Sequence, residues 1–134
     1  MKQAELNKLA KYLAEKKHIK FKLSVNDCNT LVMEWHDIRF GTDKLSSILG
    51  QYNNVKERIK FSRNFISAET WLTSNGYKPV KSARDGDILV IPTKHYSIAH
   101  IVFNGSAQTF QEGAGFVRLN IKSIPKDVYQ VWRK

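Results

Sequence analysis

The chain has 134 residues, 42% of them hydrophobic and 11% aromatic, which is enough for one packed core and argues against wholesale disorder. Twenty-two Lys and Arg face twelve Asp and Glu, a net charge of +10; a field of that sign favours polyanions such as nucleic acid, acidic glycans and anionic cell-wall polymers, without choosing among them. No apolar run approaches a membrane span and the lysine-rich start lacks the apolar stretch of a signal peptide, so the expectation is synthesis in a cytosol, with a phage particle or cell lysis as any route outward.

Residues Gln3 to Lys17 read as a helix with an apolar stripe of Leu6, Leu9, Ala10 and Leu13. Seven lysines against two glutamates in residues 1–22 make this segment basic, either a docking arm or a helix packed on the domain, and the coherent stripe favours packing. A second helix starts at Asp27 or Cys28 and runs to about Ile38, before Gly41-Thr42-Asp43 breaks the pattern. Lys44 to Leu49 is a short helical piece ended by Gly50, and Asn54 to Phe65 and Ser67 to Ser74 are two further helices, the last with Ser67 as cap and Asn75-Gly76 as stop. The period then changes. Ile88 to Ile91 and Ile98 to Phe103 read as strands, the second ended by the hairpin signal Asn104-Gly105. Ala107 to Gln111 and Phe116 to Ile121 complete an antiparallel meander, and Pro125 to Trp132 is a closing strand or a helical turn. Helices first and strands after predict a single α+β domain, 1–134.

Cys28 is the only cysteine. It can form no intramolecular disulfide, and one thiol is too few for structural zinc; no cofactor or metal is expected. It is an inert core residue or a nucleophile. Its place in the first turn of a helix, beside unpaired backbone N–H groups and the positive end of the dipole, favours the thiolate that acyl-transfer chemistry needs. A nucleophile needs a base. His36 lies eight residues on, about 12 Å of helical rise away, and nothing orients His18. His95 sits in a loop after Pro92, an alternative base. His100 lies inside a strand, which fixes its side chain more firmly, with Ile98 and Val102 on its face and Ala99, Ile101 and Phe103 on the other. Gln111, across a hairpin, could accept the imidazole N–H and fix its tautomer.

Three segments carry a family resemblance. Asp27-Cys28-Asn29-Thr30-Leu31-Val32 resembles the Asp-Cys-Ser-Gly-Leu-Val helix start of NlpC-type cysteine peptidases, compact papain-like enzymes that cut peptidoglycan peptides. Arg84-Asp85-Gly86-Asp87-Ile88-Leu89-Val90 resembles their Pro-Gly-Asp-Leu-Val strand start, and His100-Ile101-Val102-Phe103-Asn104-Gly105 their His-Val-Gly-Ile-Tyr strand. Trp35, Gly50-Gln51-Tyr52 and the closing Trp132-Arg133 are similar to a smaller phage and prophage, tail-assembly-associated, set within that superfamily. The resemblance spans residues 24–134 and leaves residues 1–22 as a basic helical extension. It implies a cysteine helix packed on a C-terminal antiparallel sheet, with Cys28 as nucleophile, His100 as base and Gln111 in the third polar place. An equally compact alignment puts Ser97 in the base position and turns His100 away.

Three functions are therefore in view. The first is a phage- or prophage-type hydrolase that cleaves an amide in peptidoglycan stem peptides through Cys28 and His100. The second is a catalytically degenerate relative that serves as a structural or assembly protein of a phage particle, with virion proteins as partners. The third is a basic nucleic-acid-binding module, which would interleave aromatic and basic residues on one sheet face.

Overall fold

The computed structural model describes residues 1–64 and 67–134. It is α+β. Four α-helices, α1 (Gln3–Lys16), α2 (Cys28–Phe40), α3 (Val55–Asn64) and α4 (Ala68–Ser74), precede six strands: β1 (Lys78–Val80), β2 (Ile88–Pro92), β3 (Ser97–Phe103), β4 (Ser106–Gln111), β5 (Gly115–Asn120) and β6 (Gln130–Arg133). The strands form one sheet in the order β1-β6-β2-β3-β4-β5, with every pairing antiparallel. The expected end of α3, Phe65, lies outside the described residues.

Local chemistry explains most boundaries. Asp27 caps α2: its carboxylate accepts the Thr30 N–H at 2.9 Å while the Thr30 hydroxyl accepts the Asp27 N–H at 2.9 Å, a reciprocal box that satisfies two otherwise orphaned donors. The helix runs two residues past the expected Ile38, because Gly41 takes the left-handed conformation (φ 67°) and returns its N–H to Asp37 at 2.8 Å. Ser67 caps α4 through the Thr70 N–H. Asn104 and Gly105, at φ 50° and 73°, turn the β3–β4 hairpin as the dipeptide predicts. Residues Pro125 to Trp132 are both things expected: Lys126–Val128 is one 3-10 turn, and β6 follows.

β1 has no sequence signal. Its three residues include Pro79, and a proline lacks a ladder donor. The strand forms because β6 returns from the chain end to lie between it and β2, and its place at the sheet edge tolerates the proline.

The sheet has two unlike faces. Ile88, Val90, Ala99, Ile101, Phe110 and Trp132 pack beneath the helices, against Leu31, Val32 and Trp35 of α2 and Leu72 of α4. The helix α1 joins the same core through Leu9, Tyr12 and Leu13, and the Tyr12 hydroxyl donates to the Leu31 carbonyl at 2.9 Å. The expected stripe thus shifts: Tyr12 is buried, while Leu6 and Ala10 are only partly so. The opposite face carries a smaller cluster of Leu89, Val102, Ala107 and Val131. Among the described residues no helix is long and apolar enough to cross a membrane.

One ion pair ties the chain end to the start of β2. Asp87, its side chain 3% exposed, accepts Arg133 Nε at 2.8 Å, Arg133 Nη2 at 2.7 Å and the Arg84 N–H at 2.8 Å. Removing Arg133 leaves a buried carboxylate without its cation, which costs about 3 kcal/mol. Arg133→Ala is therefore expected to lower the urea-unfolding free energy by about that amount, and Asp87→Ala to cost little more once Arg133 is gone. Two single effects that simply added would show that the pair is not a lock.

Candidate active site around Cys28

Cys28 is the first residue of α2, and a polar junction holds it there. The Asp27 carboxylate, fully buried, accepts three donors: the Ser24 N–H at 2.8 Å, the Thr30 N–H at 2.9 Å and the Tyr52 hydroxyl at 2.5 Å. The Tyr52 hydroxyl in turn accepts Asn29 Nδ2 at 3.2 Å. Gly50, left-handed at φ 73°, donates its N–H to the Ser24 carbonyl at 3.2 Å and so sets the loop that delivers Tyr52. The Gly50-Gln51-Tyr52 motif thus braces the N-cap of the cysteine helix.

The thiol itself is closed in. Cys28 is 1% exposed, and Arg58 of α3 brings Nη2 to 2.8 Å from Sγ. Arg58 is 5% exposed, with its guanidinium stacked on the Tyr96 ring at 3.9 Å and its Nε without a hydrogen-bond partner. Burial pushes the Cys28 thiol up; the Arg58 cation and a backbone hydrogen bond from Ala99 pull it down, and the Asp27 charge raises it further. The net direction is up, so desolvation outweighs the helix N-terminus and the cation.

The structure does not bring Cys28 and His100 together, which corrects the expected pairing. Ala99 and Ile101 face α2, so the alternation of β3 turns His100, between them, to the other face. There it lies opposite Leu89, a member of the smaller cluster. His100 is 3% exposed, and its Nδ1 is 3.1 Å from the Leu89 carbonyl. Burial lowers its pKa, with the Leu89 and Ile98 carbonyls opposing. It is a hydrogen-bonded sheet histidine. Gln111 shares that face by alternation but is exposed at the end of β4, opposite Gly115, and the β3–β4 ladder closes at Ile101 and Gln108. It does not orient His100.

Ser97 is three residues from His100, an odd offset, and shares the helix-facing side with Ala99 and Ile101. It lines a cavity of about 310 Å³ with Asn29, Tyr96, Glu69, Trp71 and His95. His95 is exposed in the β2–β3 turn, so the alternative base does reach the cavity beside Asn29, although Cys28 does not line it. His36 is elsewhere, buried among Phe40, Trp71 and Tyr77 with Nδ1 2.7 Å from the Tyr77 hydroxyl. Burial lowers its pKa to about 4, so it stays neutral. His18 is exposed after α1.

Arg58 was not visible as a site residue in the sequence, where it sits in the charged run Lys56-Glu57-Arg58-Ile59-Lys60. The one signal is its spacing: Val55, Arg58 and Phe61 recur every three residues and share a helix face. Among the described residues no three His, Cys, Asp or Glu side chains gather to hold a metal ion.

The chain belongs to the family described as a domain of unknown function, DUF6950, whose model matches residues 2–133. No curated protein matches it.

Proposed function

We propose that the protein is a non-hydrolytic relative of the papain-like NlpC peptidases, made in the cytosol, that acts as a structural or assembly component of a phage particle. The observation that carries this reading is the arrangement at Cys28: the strand histidine faces away from the thiol, and an arginine and a tyrosine ring occupy the space above it. Nucleophilic cysteine chemistry requires a base within hydrogen-bond reach, and a buried thiol under a guanidinium has none at His100.

The motifs that resemble the phage set support the same view, because each has a structural task. Tyr52 braces the N-cap, Trp35 is 1% exposed in the core, and Arg133 is paired with Asp87. What the resemblance keeps is framework, which a binding protein needs as much as an enzyme does.

A hydrolase that uses His95 as base is the second reading, favoured by the place of His95 in the cavity that Asn29 and Ser97 line. The two readings separate on purified peptidoglycan and its soluble stem-peptide fragments. Incubated with the protein, these are expected to release no new amine beyond buffer, with wild type and Cys28→Ala alike. Release that Cys28→Ala and His95→Ala both abolish would establish the hydrolase and overturn the assembly reading.

A further inference from the structure

At the opposite end of β3 from the β2–β3 turn, a cleft of about 1060 Å³ opens between α1, the loop before β2 and the β3–β4 hairpin. Six cations rim it: Lys17, Lys81, Arg84, Arg118, Lys122 and Lys126, all exposed. The one acidic residue in the lining, Asp85, accepts the Asn104 N–H through Oδ1 at 2.9 Å. The ion pairs among the described residues are Lys16–Glu34, Arg39–Glu5 and Arg133–Asp87, so none of the six rim cations has a carboxylate within 4.0 Å. Unpaired like charges around a concavity repel one another and focus a positive field into it, and both effects are relieved by an anionic occupant.

The floor narrows the choice of anion. Leu13, Phe103 and Tyr129 give it apolar surface. Phe103 is packed against the main core and Tyr129 against the smaller cluster, which leaves neither ring free as a stacking platform for bases. Gln108, 4% exposed, also lines the cleft, and its Oε1 has no donor. Its orientation is fixed by its neighbour: the Ser106 hydroxyl donates to the Phe103 carbonyl at 2.7 Å, so it can only accept from Gln108 Nε2, at 2.9 Å. The unpartnered atom, buried in the cleft wall, is therefore an acceptor. A phosphodiester backbone brings no donor to it, whereas a peptide brings an N–H with every residue.

We propose that this cleft docks an extended acidic peptide segment of a partner protein, its carboxylates on the cationic rim, its apolar side chains on the floor and a backbone N–H at Gln108. That the partner is a virion component rests on the assembly reading above; the cleft's charge and shape do not.

Fluorescence anisotropy tests it with a labelled eight-residue peptide of alternating Glu and Leu, at about 50 mM and about 150 mM salt. The Arg84→Glu/Arg118→Glu variant is expected to weaken binding at least tenfold, about 1.4 kcal/mol. Lys56→Glu/Lys60→Glu, the same charge change on exposed positions of α3 outside the cleft, is expected to weaken it less than about threefold. Equal losses in the two variants would reduce the effect to net charge and overturn the cleft. Tighter binding of a labelled octathymidylate, lost in the Arg84/Arg118 variant, would make the occupant nucleic acid and overturn the peptide. Cys28→Ala is expected to bind the peptide as wild type does. Amine release from stem peptides is read separately, so an active hydrolase with an intact docking cleft remains distinguishable from a failed cleft.

Discussion

Asp27→Ala is expected to lower the unfolding free energy by about 4 kcal/mol, a large share of what a domain of this size has. The residue is a helix cap, and losing a cap costs about 1 kcal/mol. It is also the common acceptor for the Ser24 N–H and the Tyr52 hydroxyl in a fully buried site. Each donor orphaned there adds about 1–2 kcal/mol. Asp27→Asn keeps one acceptor oxygen and the cap, and is expected to cost about half as much. Tyr52→Phe removes one donor together with its share of the acceptor, and should be the mildest of the three. Urea-unfolding curves measure the series. A loss under about 1 kcal/mol for Asp27→Ala would mean that water or a neighbour satisfies these donors, and that the junction does not fix the position of Cys28.

That junction matters because it gives the residues behind the resemblance a structural task. The Asp27-Cys28 helix start and the Gly86-Asp87 strand start are the segments on which the peptidase resemblance rests. In the folded chain Asp27 holds a helix cap and a tyrosine, and Asp87 holds Arg133. Gly86 adopts φ 88°, and its N–H reaches the Val102 carbonyl at 2.8 Å.

How far the fold was legible depended on the range of the interactions. The order of helices and strands, the cap at Asp27, the stop at Gly41 and the hairpin at Asn104-Gly105 are set by residues within a turn or two, and the sequence shows them. The edge strand at Lys78–Val80 exists only because the chain end pairs with it more than fifty residues later, and no local pattern announces that. The site is less legible for a sharper reason. In a strand the facing side alternates every residue, so a choice between Ser97 and His100 for the position opposite Cys28 is a choice between two faces of the sheet. His100 falls on the side that α2 does not touch. Arg58 is not legible because a helical run of alternating charges reads as a solvated surface, and only packing against Cys28 and Tyr96 distinguishes one arginine within it.

The most direct test of the central claim, that Cys28 is a buried thiol without a base, is its rate of alkylation by iodoacetamide as a function of pH. The thiol is 1% exposed, so the reagent must wait for a local opening. At pH 7 the native chain is expected to react at least ~100-fold more slowly than the urea-unfolded chain, as for an opening of about 3 kcal/mol. Because burial pushes the thiol's pKa up, the thiolate forms only above the usual range of about 8.5, and the rate should climb steadily from pH 7 to 9 with no plateau. Labelling at pH 7 faster than in the unfolded chain, with a plateau that begins below neutrality, would reveal a thiolate paired with a cation and would contradict the account.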